Sequence, residues 1–369
     1  MRLVLKLRRT LSTVDWWLWG PVFFLIVLGL VMQYSLGVNQ DLPSLAQFYK
    51  QLTFVVIGLL IAAALIFLDY RSLKAHPAMY FGIAALLLVL VLLFGTTIKG
   101  TTGWFVFAGI SVQPVEFVKI CLILFMASYF EKSRTISRTP RYLFAAGGSV
   151  AILVALVILQ PDLGSAIILF AIWLSFMLML RAPAWFLSLV IVAVIGMFAV
   201  GWLFVFQDYQ RDRLSTFIHP ELDPLGAGYN VTQSITAIGS GGIWGRGLGL
   251  GTQSQLHFLP EVNSDFIFAS IAEELGYIAA ILIIAAITLI LLRLWSYMRF
   301  SKNTYAILLI LGIFTYVLTQ SLLTIGMNIG ILPVTGLPLP LVSAGGSSML
   351  ATLTLLGLAH RIGIESRRT

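Results

Sequence analysis

Apolar residues run along this chain in long blocks separated by short polar breaks. Ten blocks read as helical spans, at about 16–36, 51–68, 78–95, 114–131, 143–160, 164–180, 184–206, 266–292, 305–326 and 343–361. A helix rises about 1.5 Å per residue, so roughly 20 apolar residues cross a hydrocarbon layer about 30 Å thick. The pattern predicts an all-α polytopic membrane protein with about ten transmembrane helices, forming one membrane domain over residues 1–369. The break at "QPDLG" is so short that spans five and six form a tight hairpin, with Pro161 and Gly164 as breakers.

Three stretches do not fit the pattern of spans. Residues 207–264 form a long loop between spans seven and eight, with an expected short helix at "NVTQSITAIG". A structureless loop of that length is usually functional or disordered, and this one is rich in aromatic residues. The stretch "MNIGILPVTGLPLP" has three prolines and is expected to dip into the membrane against protein. The stretch "TTIKGTTGWFVFAGISVQ" is expected to lie along the interface.

Composition sharpens the class. Of 369 residues, 59% are hydrophobic and 10% charged, with mean hydropathy +0.97. Soluble chains are about 45–50% apolar and about 25% charged. The net charge of +8 comes from Lys and Arg in short loops, which points to membrane topology and away from nucleic acid. With the N-terminus cytoplasmic, inside segments hold 17 Lys and Arg and outside segments hold 5. Both termini are therefore expected inside, with the 207–264 loop outside. The basic start "MRLVLKLRR" leads into an uncleaved first span. The lone Cys121 forms no internal disulfide.

Charges inside spans are costly, so each is a functional candidate. Glu116 and Lys119 lie at i and i+3 on span four and can pair. Asp162 sits in the turn between spans five and six. Asp265 stands at the outer end of span eight. Glu273 lies about 12 Å deeper than Asp265 and about 80° around the helix, and Glu274 points roughly opposite to Asp265. Glu116, Asp162 and Asp265 fall at the outer boundary with Lys119 one turn below, so they are candidates to line one cavity. The bland readings are a buried ion pair for Glu116–Lys119, a turn cap for Asp162 and a helix N-cap for Asp265 in "NSDF". Glu273 and Glu274 read as packing or gating groups.

The Gly-rich run Gly239–Gly251, "GSGGIWGRGLGLG", offers backbone N–H groups for phosphate, with Arg211, Arg213 and Arg246 as cationic partners. The four histidines show no metal-ligand spacing. Together these features describe an outward-facing polar site for an anionic, lipid-linked ligand. Transport and catalysis both remain open on this reading.

Several blocks carry a resemblance: "QPVEFVK" (113–119), "QPDLGSA" (160–166), "DYQRDR" (208–213), "DPLGAGYNVTQSITAIGSGGIWGRG" (223–247), "GTQSQLHFLPEVNSDFIFASIAEELG" (251–276) and "GILPVTGLPLPLVSAGGSS" (330–348). Together they resemble the SEDS family (shape, elongation, division and sporulation) of ten-span peptidoglycan glycosyltransferases, its rod-shape branch more than its division branch. The chain departs from the family pattern at Val115, Asn263-Ser264, Thr324 and Ala344, and no carboxylate is lost.

The resemblance implies polymerisation of lipid II on the outer face of the bacterial cytoplasmic membrane. Undecaprenyl-pyrophosphate-linked glycan is the product, and a class B penicillin-binding protein is the transpeptidase partner. It implies Asp265 as the catalytic residue, with Glu116, Lys119, Asp162, Arg211, Arg213, Gln233, Ser234, Arg246 and Ser343 supporting catalysis or binding substrate. A divalent cation, Mg2+ or Mn2+, is a candidate cofactor. A lipid II flippase and a division-type polymerase are the alternatives.

Overall fold

The computed structural model describes residues 14–38, 44–98, 100–107, 109–131, 139–201, 203, 227–256 and 258–366. Ten of its helices coincide with the expected spans. They are α1 (Trp16–Val38), α2 (Ala46–Leu65), α3 (Pro77–Phe94), α4 (Pro114–Glu131), α5 (Pro140–Ile158), α6 (Leu163–Met179), α7 (Ala184–Val200), α10 (Ile267–Phe300), α11 (Thr304–Asn328) and α12 (Gly346–Ser366). Between α7 and α10 lie α8 (Ala227–Gly241) and the single turn α9 (Thr252–Gln255). The expected helix at "NVTQSITAIG" is the body of α8.

Seven of these helices are long and apolar enough to cross a membrane. α6 and α7 are apolar but shorter. α4 carries three charged residues, Glu116, Lys119 and Glu131, within its 18. The helix starts follow local chemistry. Pro77 and Pro140 open α3 and α5, where a missing N–H costs nothing. Asp162 caps α6 by accepting from Ser165 N at 2.9 Å, and Asn303 caps α11 by accepting from Tyr305 N.

The chain is not wholly α-helical. "TTIKGTTGWFVFAGISV" folds into an antiparallel sheet of β1 (Thr96–Ile98), β2 (Thr101–Phe107) and β3 (Ile110–Val112), in that order. Phe105 faces Val112 and Phe107 faces Ile110 across the second pair. Threonine and aromatic residues favour strands, and Gly100 and Gly109 take positive φ at the turns.

α11 lies at the centre, packed against α4, α6, α10 and α12. It is buried along most of its length, as is α12. α10 also packs on α1 and α8, and α2 packs on α12. α7 leaves most of its apolar side chains exposed.

α10 is broken. Gly276 takes φ 80° and ψ −179°, which no continuous helix accommodates. A loop enters the break: Tyr277 N donates to Gly242 O at 2.9 Å, and Arg246 N and Gly247 N donate to the carbonyls of Glu273 and Glu274. A Cβ at Gly276 would run into the Ile243 carbonyl, so glycine is required both for space and for its φ. Asp265 itself precedes the helix, in a turn. The angle expected for Glu273 and Glu274 took Asp265 as part of the helix, whereas the helix begins at Ile267; the break at Gly276 lies beyond both glutamates.

Candidate functional site

Asp265 lies where three segments meet. Its own turn is closed by Asp265 N donating to Glu261 O at 3.1 Å. The irregular stretch 329–345 forms one wall, and the carboxylate Oδ2 lies against Gly336. Ser343 fastens that wall: its Oγ donates to Ser264 O at 2.6 Å and accepts from Leu339 N at 2.8 Å. Ala344 N adds a bond to Asn263 O at 2.8 Å. The proline-rich stretch is shielded by protein as expected, with Leu337, Leu339, Leu341 and Val342 buried.

Asn328, at the end of α11, holds the turn from behind. Its Nδ2 donates to Asp265 O and to Thr324 O, each at 2.8 Å, and its Oδ1 accepts from Ala269 N at 3.1 Å. Ser234 Oγ of α8 donates to Asn328 O at 2.8 Å. Ser234 is thus buried inside the protein, whereas Gln233 beside it is half-buried.

Glu116 and Lys119 form the expected pair, with Lys119 Nζ 2.7 Å from Glu116 Oε1. Both residues are fully buried. Lys119 also donates to Gln320 Oε1 at 3.2 Å and sits over the Tyr316 ring. Gln320 passes the connection on, since its Nε2 donates to Pro338 O at 2.9 Å and to Ser348 Oγ. The pair therefore reaches the Asp265 wall through one amide side chain. Glu116 Oε2 is buried without a hydrogen-bond partner.

Asp162 combines capping with a long contact from Gln113 Nε2 at 3.4 Å. Gln113 N donates to Ser347 Oγ at 2.9 Å. Glu116 and Lys119 thus reach Pro338 through Gln320, and Asp162 reaches Ser347 through Gln113.

The Gly-rich run is not a vacant phosphate nest. Its amides are spent internally: Gly245 N on Gly241 O, Arg246 N and Gly247 N on α10 carbonyls, and Gly249 N on Glu274 Oε2. Glu273 accepts from Gln253 N at 2.8 Å and Ser254 N at 3.0 Å, so it anchors α9. Glu274 also accepts from Ser254 Oγ, Gln255 Nε2 and Ser35 Oγ of α1. Arg246 is exposed, with Nε donating to Ser240 O and Nη1 to Thr252 Oγ1. Arg211 and Arg213 lie outside the described residues. Among the described residues no group of three or more His, Cys, Asp or Glu converges as a metal cage.

Sequence reasoning weighed charges within spans and passed over uncharged amides. Gln320 and Asn328 were missed for that reason, and so were Gln51, which binds Ser343 O, and Gln33, which binds Val342 O. A lone amide inside an apolar run was the available signal.

A bundle of apolar helices enclosing a polar seam, with one half-exposed carboxylate at its end, defines an integral membrane protein with an internal site. The cell cycle protein model covering FtsW, RodA and SpoVE matches residues 15–368, and the chain belongs to that family. Among curated relatives, the peptidoglycan glycosyltransferase MrdB of Escherichia coli (strain K12) is 35% identical over 351 residues, covering 93% of this chain and 92% of MrdB. The solved Rod shape determining protein RodA of Thermus thermophilus superposes with TM-score 0.69 at 29% identity, covering 95% of this chain and 96% of RodA. A chain from a structure of a peptidoglycan synthase complex that coordinates polymerization and crosslinking superposes with TM-score 0.79 at 28% identity, covering 96% of this chain and 99% of that one.

Proposed function

We propose that this chain is a peptidoglycan glycosyltransferase of the rod-shape branch that polymerises lipid II, with Asp265 as the general base. One observation carries the assignment of the base. Glu116, Glu273 and Glu274 are fully buried and Asp162 nearly so, whereas Asp265 is half-exposed beside the Gly336 wall. A base must reach its substrate, and of these five carboxylates Asp265 is the one placed to do so.

In the reaction, the GlcNAc 4-hydroxyl of lipid II attacks C1 of the MurNAc at the end of the growing chain. Asp265 takes the hydroxyl proton as the new C–O bond forms. The bond from C1 to undecaprenyl pyrophosphate breaks, and the anomeric centre inverts from α to β. Base assistance of this type contributes about 10²–10⁴-fold. The leaving pyrophosphate carries its own charge and needs cationic stabilisation rather than an acid. Arg246 is exposed and suited to that task. Lys119 is enclosed and acts from behind the wall.

The 17-to-5 distribution of basic residues supports cytoplasmic termini and an Asp265 site on the outer face. A class B penicillin-binding protein is the partner expected to cross-link the strands. The deciding test is purified Asp265→Asn with lipid II. Loss of glycan polymer from a folded variant is expected, and substantial polymer would overturn the base assignment. Translocation of fluorescent lipid II in liposomes, without polymerisation by the wild type, would point to a flippase instead.

A further inference from the structure

The helical turn that follows Asp265 does not cap itself. Phe266 occupies the N-cap position at φ −108° and ψ 22°, and it makes no side-chain cap bond. The free amide three residues on, Ala269 N, is met from another helix by Asn328 Oδ1 at 3.1 Å. N-cap bonds of this kind normally come from the residue at the cap itself.

Here the cap is supplied in trans, and the same side chain holds the Asp265 peptide. Asn328 Nδ2 donates to Asp265 O and Thr324 O, each at 2.8 Å, and the residue is fully buried. Its own carbonyl takes the Ser234 hydroxyl at 2.8 Å, which ties α8 to the same point. One amide thus fixes the peptide on which the carboxylate is mounted and the first turn of α10 behind it.

We infer that Asn328 is the positioning residue for Asp265, setting the carboxylate's place relative to the Gly336 wall. This inference rests on the reading of Asp265 as the base. Asn328 reaches no reacting atom itself, so its loss acts on the geometry of the proton transfer. Misplacing a catalytic group by about 1 Å can cost about 10²-fold in rate.

The test uses the purified full chain and lipid II, with rates expressed per folded molecule. Asn328→Ala is expected to lower kcat about 10–100-fold while KM stays within about twofold. Asn328→Ser replaces the amide with a shorter hydrogen-bonding hydroxyl and should fall between Ala and wild type. Hydrogen exchange of the segment around Ala269 should quicken in both. A folded Ala or Ser variant with wild-type kcat overturns the inference. So does a loss that disappears once activity is divided by the folded fraction, because that marks a purely structural asparagine. Asp265→Asn is run in parallel. If it polymerises glycan, the base reading has failed. If it is inactive and the Asn328 variants turn over normally, only the positioning role has failed.

Discussion

Ser35 Oγ donates to Glu274 Oε2 at 3.0 Å, joining α1 to the first segment of α10 across 239 positions of sequence. The same carboxylate takes Gly249 N, and its neighbour Glu273 takes two amides of α9. Two charges that looked costly inside a span are thus the anchors of a loop. A buried carboxylate with several donors is satisfied.

Glu273→Ala should therefore leave Gln253 N and Ser254 N without acceptors. Each orphaned buried donor costs about 1–3 kcal/mol, so stability should fall by about 2–6 kcal/mol. The exposed Arg246 provides the readout, since trypsin should cut after it several times faster in the variant. An unchanged cleavage rate would show that the loop is held by other contacts.

Gly276 makes a second prediction. Gly276→Ala meets both a positive φ and the Ile243 carbonyl, so it should destabilise by more than about 1 kcal/mol and displace the inserted loop. Gly148 in α5 is the control, because a Cβ there meets nothing within 4 Å. Gly148→Ala should be neutral or stabilising by about 0.5–1 kcal/mol. Thermal unfolding in detergent compares the two, and equal effects would refute the break at Gly276.

Much of this arrangement was legible in the sequence. The ten spans, the α5–α6 hairpin, α8 and the Glu116–Lys119 pair all follow from apolar period, breakers and i,i+3 spacing. The break in α10 was not legible, because a lone glycine inside a helical pattern is commonplace and the φ of Gly276 goes with a loop about 30 residues upstream. The amides were missed because their value is relational. Asn328 matters through partners at 234, 265 and 269, which no local window contains. The small sheet was locally signalled by strand-forming residues between turn glycines, in a stretch expected only to lie along the interface.

Ser343 gives a prediction about the wall beside Asp265. Its hydroxyl both donates to Ser264 O and accepts from Leu339 N. Ser343→Ala removes both bonds in a buried place and should cost about 1–3 kcal/mol. Because the wall faces the carboxylate, kcat should fall with it. A thermal shift together with lipid II polymerisation measures both, and normal stability would mean that Ala344 N and Gln51 hold the wall alone.

The Glu116–Lys119 pair separates support from chemistry. Removing one partner of a fully buried pair strands the other charge, at a cost of about 3–5 kcal/mol. Lys119→Met should therefore lower stability by that amount, because Glu116 loses its partner at Oε1 while Oε2 already lacks one. Combining Glu116→Gln with Lys119→Met removes both charges and should restore more than half of the loss. The combined variant still lacks the Lys119–Gln320 bond that steadies Pro338 on the Asp265 wall. Its kcat per folded molecule should fall about tenfold, the scale of a small geometric displacement, with KM little changed. A stable double variant with no detectable polymerisation would instead require Lys119 to act directly on the leaving pyrophosphate.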